Sequence, residues 1–290
     1  MPNPAALVLI AGLALTGCST KHAGTYEVAT ANTATGSSEA LMAEAEALWA
    51  QRTDLAMLQA ALGKYEQVAA ADPTNREAAA RLVRGYYFLG DRQTDKDQKL
   101  ATWDTAITWG KRCLAINTEF TELLEKGDET EATAARAFTE EDVPCLYWTS
   151  SALGKWAKLS GLGKTLKNLP TVKAWMTRVQ ELDPDYFYSG PDRYWGAYYA
   201  AIPSFAGRDL DRSRRHLDAA IAAHPEYLGT KVILAEYWAR GTQDRETFVT
   251  ALQEVLDADP DVLDDIAAEN RAEQDKARAL LANVDEYFAE

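Results

Sequence analysis

Very little in this 290-residue sequence can hold a metal or act as a nucleophile. The three histidines (His22, His216, His224) are scattered, and the three cysteines (Cys18, Cys113, Cys145) form neither a CxxC nor a Cys/His zinc spacing. Neither a Ser/His/Asp array nor a nucleophile elbow is present, and Gly163-Lys164-Thr165 lacks the upstream glycines of a phosphate loop. Asp264 and Asp265 are adjacent, so on a helix they point about 100° apart and make a poor acid–base pair. Catalysis, metals and cofactors are therefore not expected. Positive charge is also short: 30 Lys and Arg stand against 44 Asp and Glu, a net charge of −14. Such a surface repels nucleic acid and anionic headgroups. Val and Ile are sparse and Ala is abundant, which argues against sheet and for helix.

A permanent membrane span of about 20 apolar residues is missing as well. Ala5 to Leu15 is uncharged and apolar but has only the length of a secretory-signal core. Leu15-Thr16-Gly17-Cys18 follows directly and matches the lipobox of bacterial lipoproteins: an apolar residue, two small ones that let a signal peptidase approach, then the Cys that is acylated. The departure is that no Lys or Arg precedes the run. Several acyl chains on one Cys would anchor stably, whereas a single chain binds marginally. Ser19, where Asp would signal inner-membrane retention, favours an outer membrane. Residues 1–17 thus read as signal peptide. Residues 18–38, rich in Thr, Ala, Gly and Ser, read as lipid anchor and flexible tether, and 39–290 as one helical repeat domain.

Within that domain several segments stop alike: Ala71-Asp72-Pro73, Leu182-Asp183-Pro184, Ala223-His224-Pro225 and Ala258-Asp259-Pro260, with Leu114-Ala115-Ile116-Asn117 as a fifth lacking its Pro. Proline cannot continue a helical hydrogen-bond ladder. The spacing of the last two is near the 34-residue tetratricopeptide period. Ala61, Tyr65 and Val68 before Pro73, and Phe248, Leu252 and Val255 before Pro260, fit the packing positions of such a repeat. The expected fold is all-α, a helical-hairpin, degenerate tetratricopeptide-like array with an acidic insertion around Glu119 to Glu141. A plain helical bundle with chance Asp-Pro stops is the alternative.

Aromatic residues concentrate in two stretches. One runs from Tyr147-Trp148 to Trp156; the other holds Tyr186-Phe187-Tyr188-Ser189-Gly190-Pro191 and Tyr194-Trp195-Gly196-Ala197-Tyr198-Tyr199. Tyr194/Tyr198 and Trp195/Tyr199 are i,i+4 neighbours on a helix face. Packing between helices is the plain account. The functional one is a cavity wall of Tyr147, Trp148, Trp156, Tyr194, Trp195, Tyr198 and Tyr199 for an organic anion with an apolar body or a small lipid-like molecule. Gly190-Pro191 would supply the turn beside it and Gly196 a close approach; Lys231 and Glu236 would stand at its mouth, or pair with each other. Cys113 and Cys145, an even pair once Cys18 is acylated, either form a disulfide or stay buried thiols.

The stretch Leu182-Asp183-Pro184 to Pro191, Trp195 to Ala200, Ile202-Pro203 to Leu210, Tyr227-Leu228-Gly229-Thr230-Lys231-Val232 to Tyr237, and the acidic C-terminal helix with Glu269-Asn270 resemble the T-component lipoproteins of tripartite ATP-independent periplasmic (TRAP) transporters. The order of the blocks and the lipobox agree. Ser189, where Gly is expected, and Cys145, where an apolar residue is usual, depart from the pattern. The resemblance implies a tetratricopeptide-like homo-oligomer, a trimer being the candidate form, with a pore or cavity. It also implies a periplasmic solute-binding partner, the P-component, and a lipid-anchored position on the periplasmic face. A generic tetratricopeptide scaffold for envelope complexes is the competing reading. Replacing the anchor, Cys18→Ser, is expected to abolish partitioning into the detergent phase and leave a folded soluble body; equal recovery of wild type and variant there refutes the anchor.

Overall fold

The computed structural model describes residues 26–28, 37–127 and 129–288; the stretches read as signal peptide and lipobox, with Cys18, lie outside the described residues. Among those described, the chain is all-α with no strand, and no helix is long and apolar enough to cross a membrane. Helices α1 (Ser38–Trp49) and α2 (Leu55–Ala71) pair as a hairpin, as do α3 (Arg76–Arg92) with α4 (Lys96–Ala115), α6 (Val143–Ser160) with α7 (Leu162–Leu182), and α8 (Tyr186–Ala201) with α9 (Leu210–Ala223). The short α5 (Thr118–Glu125) and two 3₁₀ turns fill the acidic insertion between α4 and α6. After α9 come α10 (Gly229–Ile233), a π-helical turn (Leu234–Ala239), α11 (Arg240–Thr242), α12 (Arg245–Asp257), α13 (Ala267–Ala282) and α14 (Val284–Tyr287).

The helix ends follow from local chemistry. Asp54, Asn75, Asp95, Asn117, Asp209 and Asp244 are N-caps whose side chains accept first-turn backbone N–H groups. Asp72, Asp183 and His224 are C-caps, each directly before a proline, so those three stops end helices as the sequence pattern demands. Asn117 acts differently: it opens α5 while its side-chain amide donates to the Ala137 carbonyl and to Asp142 Oδ2. That fixes the insertion to the end of α4.

Three apolar clusters result. One joins α3, α4, α6, α7 and α8; a second joins α1 to α3 with Ala268 and Ala272 of α13; a third joins α9, α10, the π turn and α12 to α14. Helix α13 therefore returns to the N-terminal hairpins, and buried charge sets how it returns. Glu269 accepts from Arg52 at 2.7 Å and from Arg84 at 2.7 Å. Burial opposes its charge, but the two guanidiniums outweigh burial and hold it below the usual carboxylate range. One turn pair further on, Lys276 meets Asp91 of α3 and Glu273 of its own helix, and Lys155 of α6 shares Asp91. Asn270 donates to the Glu226 carbonyl and accepts from Leu228 N–H, and Gln274 donates to the carbonyls of Val255 and Ala258, so the polar side of α13 is bonded on both flanks.

Two details sharpen the sequence reading. Tyr26 lies in the stretch read as a tether, yet it is buried: its ring meets Phe120 edge-on at 5.2 Å and its hydroxyl donates to Glu131 at 2.6 Å. One aromatic ring with a charged partner gains about 3 to 6 kcal/mol, enough to offset ordering a few residues. Cys113 of α4 and Cys145 of α6 are joined as a disulfide, Cα atoms 5.8 Å apart.

Two measurements check these points. Thiol titration in denaturant is expected to find the Cys113 and Cys145 thiols only after reduction. Loss of the bond, which closes a 32-residue separation, is expected to lower stability by about 2–4 kcal/mol. Glu269→Gln leaves two buried guanidiniums short of a counter-charge and is expected to destabilise by about 3–5 kcal/mol in denaturant titration. Because the folded-state pKa of Glu269 is depressed, its stabilisation is present above the unfolded value and is lost as pH falls below about 4. The variant should show a flatter acid limb than wild type, and an unchanged limb would disprove the assignment.

Candidate functional site

Where the three clusters meet they leave a cavity of about 220 Å³. Its walls come from seven elements and the loop before α10. Helix α3 contributes Arg84, Tyr87, Phe88 and Asp91, and α6 contributes Tyr147, Trp148, Lys155 and Lys158. Thr165, Asn168, Leu169 and Val172 of α7, and Arg193, Tyr194 and Tyr198 of α8 with its C-cap Ile202, add two sides. Tyr227, Val232, Ile233, Glu236 and Tyr237 close it with Glu269, Glu273 and Lys276 of α13. Leu169, Val172, Ile202, Val232 and Ile233 make an apolar region, while Arg84, Asp91, Arg193, Glu269 and Lys276 make a charged one.

The sequence-predicted residues divide cleanly. Tyr147, Trp148, Tyr194, Tyr198 and Glu236 line the cavity; Trp156, Trp195, Tyr199 and Lys231 do not. A one-residue step turns a helix by about 100°, so the two i,i+4 pairs of α8 face different ways. Tyr194 and Tyr198 are stacked at 6.4 Å on the cavity side. Trp195 stacks on Tyr199 at 5.9 Å, and Tyr199 in turn lies flat against His216 of α9 at 5.8 Å beneath Arg212. Trp156 packs against the largest cluster from outside, with Lys164 over its ring. Lys231 pairs with Glu254 of α12 at 2.7 Å instead of standing at the mouth or pairing with Glu236. Gly196 serves helix packing, not a ligand: a Cβ there would lie 2.5 Å from Leu217, and its carbonyl accepts from Ser213 at 2.6 Å.

The turn beside the cavity also differs from the sequence reading. The chain reverses at Phe187, Tyr188 and Ser189, all left-handed with φ of 50°, 59° and 53°, and Gly190-Pro191 resumes the right-handed helix. Gly190 is needed for space, because a Cβ would lie 2.7 Å from the Tyr147 ring. Three left-handed non-glycine residues cost about 1–2 kcal/mol each and persist only where the surroundings over-determine them. Here Arg193 donates to the carbonyls of Phe187 (3.0 Å) and Tyr188 (2.8 Å) and to the Tyr147 hydroxyl (3.1 Å), and its guanidinium lies 4.1 Å from the Tyr227 ring centroid. Phe187 meets Trp148 edge-on at 4.7 Å beneath the Arg84 guanidinium at 4.6 Å, and the Tyr188 hydroxyl donates to Asp265 at 2.5 Å.

Electrostatics give the cavity its character. Burial alone would raise Asp91, but Lys155 and Lys276 outweigh it and keep the carboxylate well below its ordinary range. Burial pushes the phenols of Tyr87, Tyr194, Tyr227 and Tyr237 above their ordinary value, so they are neutral hydrogen-bonding tips at any physiological pH. Lys155, Lys276 and Arg84 all have carboxylate partners, whereas Arg193, buried in the wall, bonds only carbonyls and a phenol. The lining thus offers rings and apolar side chains beside two cations with no carboxylate partner among the described residues: Arg193, and Lys158, whose ammonium lies over the Tyr237 ring at 3.9 Å. Sequence reasoning gave no site role to Arg84, Asp91, Lys155, Arg193, Glu269 or Lys276, which are far apart along the chain and form no local pattern. The only local signal was the run of residues around the left-handed turn.

No curated protein matches the chain. The family model described as TRAP transporter T-component matches residues 91–288, which takes in helices from α4 to α14 and most of the cavity lining. That match covers more than half of the sequence and includes every block of resemblance noted above; the chain belongs to the TRAP transporter T-component family.

Proposed function

We propose that this protein is a non-enzymatic lipoprotein that assists TRAP-type transport by binding a small organic ligand in the central cavity and engaging the solute-binding P-component. It is held by acylated Cys18 on the periplasmic face of a bacterial membrane, the outer one where there are two, and works as a homo-oligomer of tetratricopeptide-like protomers. The observation that carries the reading is the cavity at the junction of three apolar clusters, inside the span that matches the family.

The chemistry of the lining supports one class of ligand. An apolar body fits Leu169, Val172, Ile202, Val232 and Ile233, and the phenol tips of Tyr194 and Tyr198 flank it. A carboxylate or similar anionic group fits the end where Arg193 has no acidic partner. Pockets that are mostly apolar with a few convergent polar groups bind small molecules in this manner.

The test is native mass spectrometry of the purified protein with its bound small molecules, followed by titration of the identified ligand and of the P-component. Tyr194→Ala/Tyr198→Ala is expected to weaken ligand binding at least about tenfold, or roughly 1.4 kcal/mol. Tyr199→Ala, which alters the face towards α9, should leave it unchanged, with circular dichroism confirming intact helices for both. Equal binding by the cavity variant and wild type would refute the cavity as the site.

A further inference from the structure

The buried Tyr26 stands between the body and the cysteine read as the lipid anchor. Its notch is built from three separate pieces of the body. Phe120 of α5 meets the ring edge-on, the Lys111 ammonium of α4 lies 5.3 Å from the ring centroid, and Glu131 of the insertion accepts the hydroxyl. Glu131 is itself fixed, since its carboxylate accepts from Thr171 at 3.2 Å and its carbonyl from the Trp175 indole at 3.2 Å, both on α7. The two residues after Tyr26 are exposed, so the ring alone is the plug. Neither an aromatic ring nor a buried phenol is required of a passive spacer.

We propose that Tyr26 is a second attachment point that stands the body on the membrane with its α5 and α7 face towards the lipid surface. This rests on the reading of Cys18 as the lipid anchor. Only eight Cα-to-Cα steps separate position 18 from position 26. At no more than about 3.6 Å per residue, the notch lies within about 29 Å of the acylated cysteine. A folded body of about 250 residues has a radius of gyration near 18 Å, or about 46 Å across as a sphere. The reach is shorter than the body, so the pole opposite the notch cannot face the bilayer. Without the plug the same chain would run free to α1 at Ser38, about 72 Å at full extension, and every orientation would be open. The consequence reaches the cavity: Thr171, which bonds the notch residue Glu131, is next to Val172, which lines the cavity, so the α7 wall stands on the membrane side.

The test uses the full-length acylated protein in zwitterionic phosphatidylethanolamine/phosphatidylcholine vesicles with headgroup-labelled acceptor lipid. A donor dye is placed at Lys126→Cys, beside the notch and 72% exposed, or at Asp285→Cys, in α14 and 89% exposed. Energy transfer to the vesicle surface should be at least about twofold greater from the first site. Tyr26→Ala should make the two sites equal without changing the fraction that floats with vesicles, and Tyr26→Phe should retain part of the difference. Equal transfer from both sites in floating wild-type protein, or no response to Tyr26→Ala, overturns the proposal while leaving the anchor standing. Wild-type protein that does not float, behaving as Cys18→Ser does, overturns the anchor and the proposal together.

Discussion

Glu269 sits on the first turn of α13 with Arg52 and Arg84 on its two oxygens, and the path of the C-terminal third of the chain depends on that contact. A carboxylate taken out of water is tolerated only when its partners are in place, and here the partners are more than 180 residues away in sequence. Asp91 and Lys276 repeat the device further along the helix, with Lys155 as a third member. Apolar packing of Ala268 and Ala272 against the N-terminal hairpins would allow α13 to slide, because alanine faces are smooth. Paired buried charges allow one register.

That register leaves space where a continuous core would otherwise be. The three apolar clusters approach one another without merging, and the charges of α3, α6 and α13 occupy the gap between them. The left-handed turn at Phe187 to Ser189 serves the same end. It holds Phe187 against Trp148 and directs the carbonyls onto Arg193, which places a cation in the wall while using its donors to hold the strained backbone. The nearby π-helical turn shifts Glu236 and Tyr237 onto the cavity side; π turns are frequent where a helix lines a site.

The all-α class, the helix ends at Asp72-Pro73, Asp183-Pro184 and His224-Pro225, and the aromatic wall segments were legible because each depends on residues close in sequence. Alanine content and the absence of β-branched runs left no route to a sheet, and a proline one residue past a helix leaves no choice about where it stops. The family blocks were legible for the same reason. A short-range pattern can also name the wrong member of a pair. Trp195/Tyr199 and Tyr194/Tyr198 satisfy the same i,i+4 rule, and only the position of α9 decides which pair meets a neighbouring helix and which meets open space.

What the sequence by itself determined was therefore the helices, their ends, the aromatic enrichment beside the cavity and membership of the family. The tertiary structure decided that Lys231 belongs to Glu254, that Cys113 meets Cys145, that Tyr26 is a plug, and that Arg84, Asp91, Glu269 and Lys276 converge. The physical reason is range. Helix propensity and capping act within about one turn, whereas a buried charge must find its partner wherever the fold brings the opposite charge, and no local pattern records that distance.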